Sequence, residues 1–246
     1  MINFYRRIRQ KLLANGKLPK YLIYAIGEIA LVMIGILLAL QVNNWNEKKS
    51  RQKQEHEVLS DFIISMESDL ENEIYRLIER VKLASIRIEN ALRATKHAQS
   101  TREPYIKGKN NGIPVLTHEA NFDPQETIYK TLQSLGVSLI SDKALRDKIL
   151  RLYDREYQKF HNLIDNKSVN FRDYGRPLIR TKFKEMKPEY GFEIMDLDIY
   201  DDPVFWNYMN NGIRTNRFLL ERLYICEIKL QEVISDIQNF LKKNGQ

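Results

Sequence analysis

One apolar run, YLIYAIGEIALVMIGILLALQV over Tyr21–Val42, constrains this chain more than any other stretch. About 20 apolar residues in a helix cover roughly 30 Å, the thickness of a bilayer's hydrocarbon core. The core helix of a soluble protein is usually shorter and apolar on one face. A signal peptide carries an apolar core of roughly 7–15 residues and then a small-x-small cleavage site. This run is longer, and Ala39-Leu40-Gln41 puts Gln where the small residue belongs. The run therefore predicts an uncleaved signal anchor: one transmembrane helix at 21–42.

Flanking charge sets the expected orientation. Arg6, Arg7, Arg9, Lys11, Lys17 and Lys20 precede the run with no acid among them. Lys48, Lys49, Arg51 and Lys53 follow it, diluted by Glu47, Glu55 and Glu57. The purer basic flank marks residues 1–20 as a cytoplasmic tail and 43–246 as an extracytoplasmic domain, with a bacterial inner membrane between them. Tyr21 and Tyr24 suit one interface as aromatic anchors, and Trp45 suits the other.

Glu28 interrupts the run. At about 100° per residue, Gly35 and Ala39 fall within roughly 20° of it. Gly35-x-x-x-Ala39 is a small-xxx-small pair, which lets helix backbones approach closely. A carboxyl at that depth costs on the order of 2–3 kcal/mol, so it should face protein or water rather than lipid. The face Glu28–Gly35–Ala39 is thus the expected surface for association into a homo-oligomer. The alternative is a protonated Glu28 bonded within its own helix or to Tyr24.

Composition excludes several classes. The 246 residues carry 39 Lys+Arg against 32 Asp+Glu, a net charge of +7. Much of the excess lies in the basic tail, and no nucleic-acid fingerprint accompanies it, so membrane lipid is an expected partner and nucleic acid is not. A lone cysteine, Cys226, allows no internal disulfide. That fits a bacterial periplasm better than a eukaryotic secretory route.

The remaining chain reads as all-α. After Asn46 a charged stretch reads as a helical stalk. Then Ile63, Met66, Leu70, Ile74, Leu77, Val81, Ala84, Ile88, Ala91 and Thr95 recur in steps of three or four, with one irregular step. That seam predicts a stalk and long helix over 43–100. A loop is expected over 101–122, with Asn111-Gly112 as a candidate hairpin turn. Asp123-Pro124 should start the first of the helices in 123–246, Ser141-Asp142 a second, and Gly175-Arg176-Pro177 should interrupt that one. Residues 187–202 read as loop. Asp202-Pro203 should open a short helix that Asn210-Asn211-Gly212 closes. Leu219, Leu223, Cys226, Leu230, Val233, Ile237 and Phe240 then mark a last helix. It is expected to pack antiparallel to the long one in an elongated, four-helix-like bundle. Whether the seams pair within or between chains is open at this level.

No catalytic constellation emerges. His56, His97, His118 and His161 are scattered, and His118-Glu119 lacks the second histidine of a zinc-protease helix. Asp196, Asp198, Asp201 and Asp202 cluster, but the glycine of a calcium loop is missing and Asp202 suits a helix cap. Tyr153, Tyr157, Phe160, Phe171 and Tyr174 read as core aromatics, and Cys226 as an inert core thiol. No catalytic residue, metal or cofactor is expected.

The segment KYLIYAIGEIALVMIGILLALQVNNWNE, Lys20–Glu47, resembles the opening of an uncharacterised Gram-negative bacterial family. Thr127–Leu132, reading TIYKTL, and SLGVSLISDKALRDKILRLYD, Ser134–Asp154, are similar to it as well. The resemblance implies location and architecture but no reaction. The expected function is a non-enzymatic, single-pass membrane protein with an extracytoplasmic interaction domain, and with other membrane or periplasmic proteins as further partners. The alternatives are an accessory subunit of an ion-driven complex that uses Glu28, or a sensor-like bundle.

Overall fold

A computed structural model describes residues 18–101, 121–187, 191–195 and 197–244. The fold is all-α, with one short hairpin as its only described sheet. Helix α1 runs Leu18–Asp69 and passes through a π-turn, Leu70–Ile74, into α2, Tyr75–Thr101. From Met66 to Thr95 every residue of the expected seam is buried. Ile63 is half-covered, and Phe62, fully buried, takes the core position beside it.

The irregular step has a structural counterpart. A regular seam alternates threes and fours, but Met66–Leu70–Ile74 takes two fours in succession. An α-helix would rotate the seam away from the core there. The wider i→i+5 turn at Leu70–Ile74 keeps both residues facing inward.

Contacts divide the chain between Gln54 and Glu55, within α1. In the first unit, every side chain from Ile26 to Gln54 is exposed. Its helix is long and apolar enough to cross a membrane, and none of its most apolar 18-residue window is buried.

In the second unit α3, Thr127–Leu135, stops at Gly136, whose φ of 92° suits glycine. A 3₁₀ turn, Val137–Leu139, leads to α4, Lys143–Arg151, whose N-cap is Asp142 accepting from the Leu145 N–H at 3.0 Å. The first helix starts later than its sequence suggests. Residues 121–126 are irregular, and their backbone is tied instead to α1 and the π-turn that follows it. From Lys143 the chain then stays helical to Lys182: α4, a π-turn Leu152–Tyr157, α5 Gln158–Asn170, a second π-turn Phe171–Gly175, and α6 Arg176–Lys182. Gly175-Arg176-Pro177 does not break it. The π-turn ends at Gly175 with the Arg176 N–H still bonded back to the Phe171 carbonyl, and Pro177 follows at once within the helix.

β1, Phe183–Lys187, ends where the expected loop begins; inside that stretch lie β2, Gly191–Ile194, paired antiparallel with β1, and a 3₁₀ turn, Leu197–Asp201. Helix α7 then runs unbroken over Pro203–Asn244. Asn210-Asn211-Gly212 does not close a helix. Asn210 Nδ2 donates along the helix to the Trp206 carbonyl at 2.9 Å. Gly212 instead lets α2 come close: a Cβ there would stand 3.3 Å from Ile88 Cδ1.

Helices α2 and α7 are antiparallel neighbours. Gln231 Nε2 donates to the Tyr75 hydroxyl at 3.3 Å, Gly212 faces Ile88, and Gln99 Nε2 donates to the Tyr200 carbonyl at 2.6 Å. On α7 the seam Leu219–Leu223–Cys226–Leu230–Val233–Ile237 is buried and Phe240 is half-covered. The larger core joins it to α1, α3, α4 and α5. A smaller core gathers Ile88, Ala91, Leu178, Tyr200, Phe205 and Met209. The seams therefore meet within one chain.

Candidate functional site

Two polar constellations sit in this apolar bundle. The first lies where the π-turns Leu70–Ile74 and Leu152–Tyr157 approach each other. Asp69, the residue before the first, is 1% exposed. Its Oδ1 accepts from the Gln125 N–H at 2.8 Å and its Oδ2 accepts from the Tyr157 hydroxyl at 2.8 Å. The segment 121–126 is stitched down beside it. The Asp123 N–H donates to Glu73 Oε2 at 3.1 Å, Ser65 Oγ donates to the Gln125 carbonyl at 3.0 Å, and Gln125 Nε2 donates to Ser68 Oγ at 3.0 Å.

Aromatic rings wall the carboxyl in. Tyr129 stacks on Tyr153 at 4.6 Å between centroids, and its hydroxyl donates to Asp154 Oδ1 at 2.6 Å. Tyr153 meets Tyr157 edge-on at 5.0 Å, and Phe122 caps Tyr157 edge-on at 5.3 Å. The Tyr153 hydroxyl, beside Ser65, makes no hydrogen bond of good geometry. Burial pushes the Asp69 carboxyl up to about 6, although the Gln125 N–H and the Tyr157 hydroxyl pull the other way. Burial also raises Tyr153 and Tyr157 well above the ordinary phenol range. With its approaches sealed by protein, Asp69 can hold or release a proton but offers no room for a substrate. The arrangement is a clasp whose strength depends on one titration.

Nearby ion pairs complete the frame. Glu156, in the same π-turn, is bridged by Lys229 of α7 at 2.8 Å and by Lys159 at 3.3 Å. Burial pushes its carboxyl up, but the two ammonium groups overrule this and hold it below the usual range. Glu55 accepts from both the N–H and the hydroxyl of Ser141, tying α1 to the start of α4.

The second constellation is a cleft of about 490 Å³ between α5, α7 and Ile88 of α2. Leu163, Phe171, Met209 and Phe218 furnish apolar wall, and Lys167 and Asn216 reach it from opposite helices.

The residues singled out from sequence fall as follows. Glu28, Gly35 and Ala39 lie on the continuous helix α1, exposed and within one face by helical angle. A Cβ on Gly35 would meet nothing within 4 Å. Trp45 is exposed, with Lys49 Nζ 5.5 Å from its ring centre. Tyr21 and Tyr24 fall in α1, but their side chains lie outside the described residues, as do residues 1–17, His118 and the Asn111-Gly112 turn. Cys226 is 1% exposed, and burial pushes its thiol up to about 12, which keeps it unreactive. Tyr153, Tyr157 and Phe160 are core, Phe171 lines the cleft and Tyr174 is exposed. Asp202 caps α7 through the Val204 N–H at 2.8 Å and pairs with Lys182. Among the described residues no group of three His, Cys, Asp or Glu is placed to hold a metal.

Sequence reasoning passed over Asp69, Lys167 and Asn216. Asp69 could have been found as the acid inside the doubled four-step. Lys167 and Asn216 sit in segments that read as ordinary helix surface and carry no such signal.

A profile for a family of unknown function, DUF6090, matches residues 28–173. That is more than half of the 246 residues and includes every member of the Asp69 constellation. No curated protein and no solved structure matches the chain.

Proposed function

The chain belongs to this family of unknown function, DUF6090, and from that premise we propose a non-enzymatic membrane protein: a single span, a short basic cytoplasmic tail, and a helical domain outside the cytoplasm that engages other proteins. The observation that carries the reading is the contrast within one helix. From Ile26 to Gln54 nothing is buried, although 21–42 is almost wholly apolar, whereas from Glu55 onward one face of the same helix is buried. An apolar surface that the protein itself leaves uncovered calls for lipid.

Within the membrane, the reading assigns the face Glu28–Gly35–Ala39 to contact between copies of the chain. Glu28 is an exposed acid in an apolar helix, and the helix surface at Gly35 is open. Burying the carboxyl against a second helix removes it from lipid. The expected setting is a bacterial inner membrane. Alkaline carbonate extraction of cell membranes tests the anchor: the full chain stays in the pellet on this reading, and release into the supernatant contradicts it.

A further inference from the structure

The cleft between α5 and α7 has a chemistry that its fold does not require. Asn216 is 1% exposed, and its Oδ1 accepts from Lys167 Nζ at 3.0 Å. That leaves Asn216 Nδ2 buried without a partner. An unpaired buried amide N–H is costly, so something polar normally answers it. Lys167 carries three donors and uses one. Among the described residues no carboxylate pairs with it, and none lines the cleft. Burial pulls its ammonium below the usual lysine range, the mark of a cation short of counter-charge.

The donor set defines the ligand. Facing the cleft are a half-buried cation with two of its three N–H donors unused and a buried amide N–H with no acceptor. Arg214 lines the cleft from an exposed position and is already engaged with Asn211 Oδ1 at 3.2 Å. One half-buried positive charge with a neighbouring buried donor suits a monoanion with two acceptor oxygens; a dianionic phosphate would ask for more. Ile88, Leu163, Phe171, Met209 and Phe218 give the rest of the wall its apolar area, set among uncharged asparagine, threonine and tyrosine side chains. A volume of about 490 Å³ falls within the range of small-molecule sites.

We propose that this cleft binds a small organic carboxylate with an apolar body, the carboxylate held by Lys167 and Asn216 Nδ2 and the body lying against Phe171, Met209 and Phe218. The site goes beyond the anchoring and interaction role. It would let the domain's state depend on a metabolite-sized acid.

The test uses the full chain in lipid nanodiscs, with empty nanodiscs as the blank, and isothermal titration of 3-phenylpropionate. Its neutral amide, 3-phenylpropanamide, and inorganic phosphate serve as comparison ligands. The expected result is saturable heat for the acid at one site per chain, with the amide and phosphate each at least about tenfold weaker. Lys167→Gln should weaken the acid by about tenfold or more while preserving the helical circular dichroism. Asn216→Asp should do the same, because the new carboxylate pairs with Lys167 in the ligand's place. The proposal fails if the acid gives no saturable heat, if amide or phosphate binds as well as the acid, or if both folded variants bind the acid like the wild type.

Discussion

Asp69 and Tyr157 stand at the edges of two π-turns in different helices, and the phenol donates to the buried carboxyl at 2.8 Å. Each π-turn displaces one residue from regular helical register, and the two displacements meet at this bond. The Gln125 N–H closes the other side of the carboxyl. One acid therefore fixes three segments that are far apart in sequence.

The folded-state pKa of Asp69 is raised from 3.8 to about 6. The folded protein thus holds this proton more tightly than the unfolded chain does. Stability from this group is full below the unfolded value and is lost as pH rises through about 6. The loss is on the order of 3 kcal/mol. Asp69→Asn keeps an acceptor for Gln125 and stays neutral, so its stability should lack that decline. Melts of both proteins between about pH 4 and 8 should converge at the acid end, with the variant more stable at the other. Parallel curves would show that Asp69 is not buried as a neutral acid.

Tyr157→Phe removes the donor and leaves the ring contacts with Phe122 and Tyr153. Both partners are fully buried, so a cost of about 1–3 kcal/mol is expected at neutral pH. A smaller cost at acid pH should follow, because the Tyr157 hydroxyl favours the charged carboxylate over the neutral acid. Denaturant unfolding at the two pH values checks this.

How much of this was legible beforehand differs by element. The long apolar helix, the two buried seams and the Asp142 cap follow from composition, periodicity and capping, which are local. The doubled four-step at Met66–Leu70–Ile74 was visible, but its resolution as a π-turn depends on a core that only tertiary contacts supply. Gly175-Pro177 and Asn210–Gly212 looked like helix ends because glycine, asparagine and proline usually are. In the fold, Gly175 lies against Tyr208 and Gly212 against Ile88, so both glycines serve close packing. Asp123-Pro124 looked like a cap, but its segment is held by Glu73 and Asp69, about fifty residues earlier. The Lys167–Asn216 pair joins separate helices, and no single-helix pattern could announce it.

Gly175 yields a sharp packing prediction. A Cβ there would fall on the Tyr208 hydroxyl and stand 2.7 Å from Phe171 Cδ2. Alanine gains about 1 kcal/mol of helix propensity, whereas overpacking costs about 1–3 kcal/mol. Gly175→Ala should therefore be net destabilising. It should also disturb the Phe171 side of the cleft. An increase in melting temperature would contradict the close approach.

Leu230 is fully buried in the α7 seam. Leu230→Ala should cost about 2–5 kcal/mol, and Leu230→Asp should leave the domain unfolded. Chemical denaturation of the full chain in detergent measures the first, and loss of circular dichroism the second.

In the membrane, Gly35→Ile should weaken association of the spans by roughly tenfold if the Glu28–Gly35–Ala39 face pairs. Single cysteines placed along the span provide the readout. Crosslinking at Gly35 but not at Leu37 or Ile29 is the expected pattern, and the reverse pattern would move the interface elsewhere.

The central claim is that one helix anchors the chain in a membrane and carries a bundle on the far side from the cytoplasm. Reporter fusions after Gln246 test it directly in a bacterial host. A periplasm-dependent phosphatase fused there should be active and a fluorescent protein that matures only in the cytoplasm should stay dark. A bright fluorescent fusion with an inactive phosphatase would contradict the orientation and, with it, the proposed role.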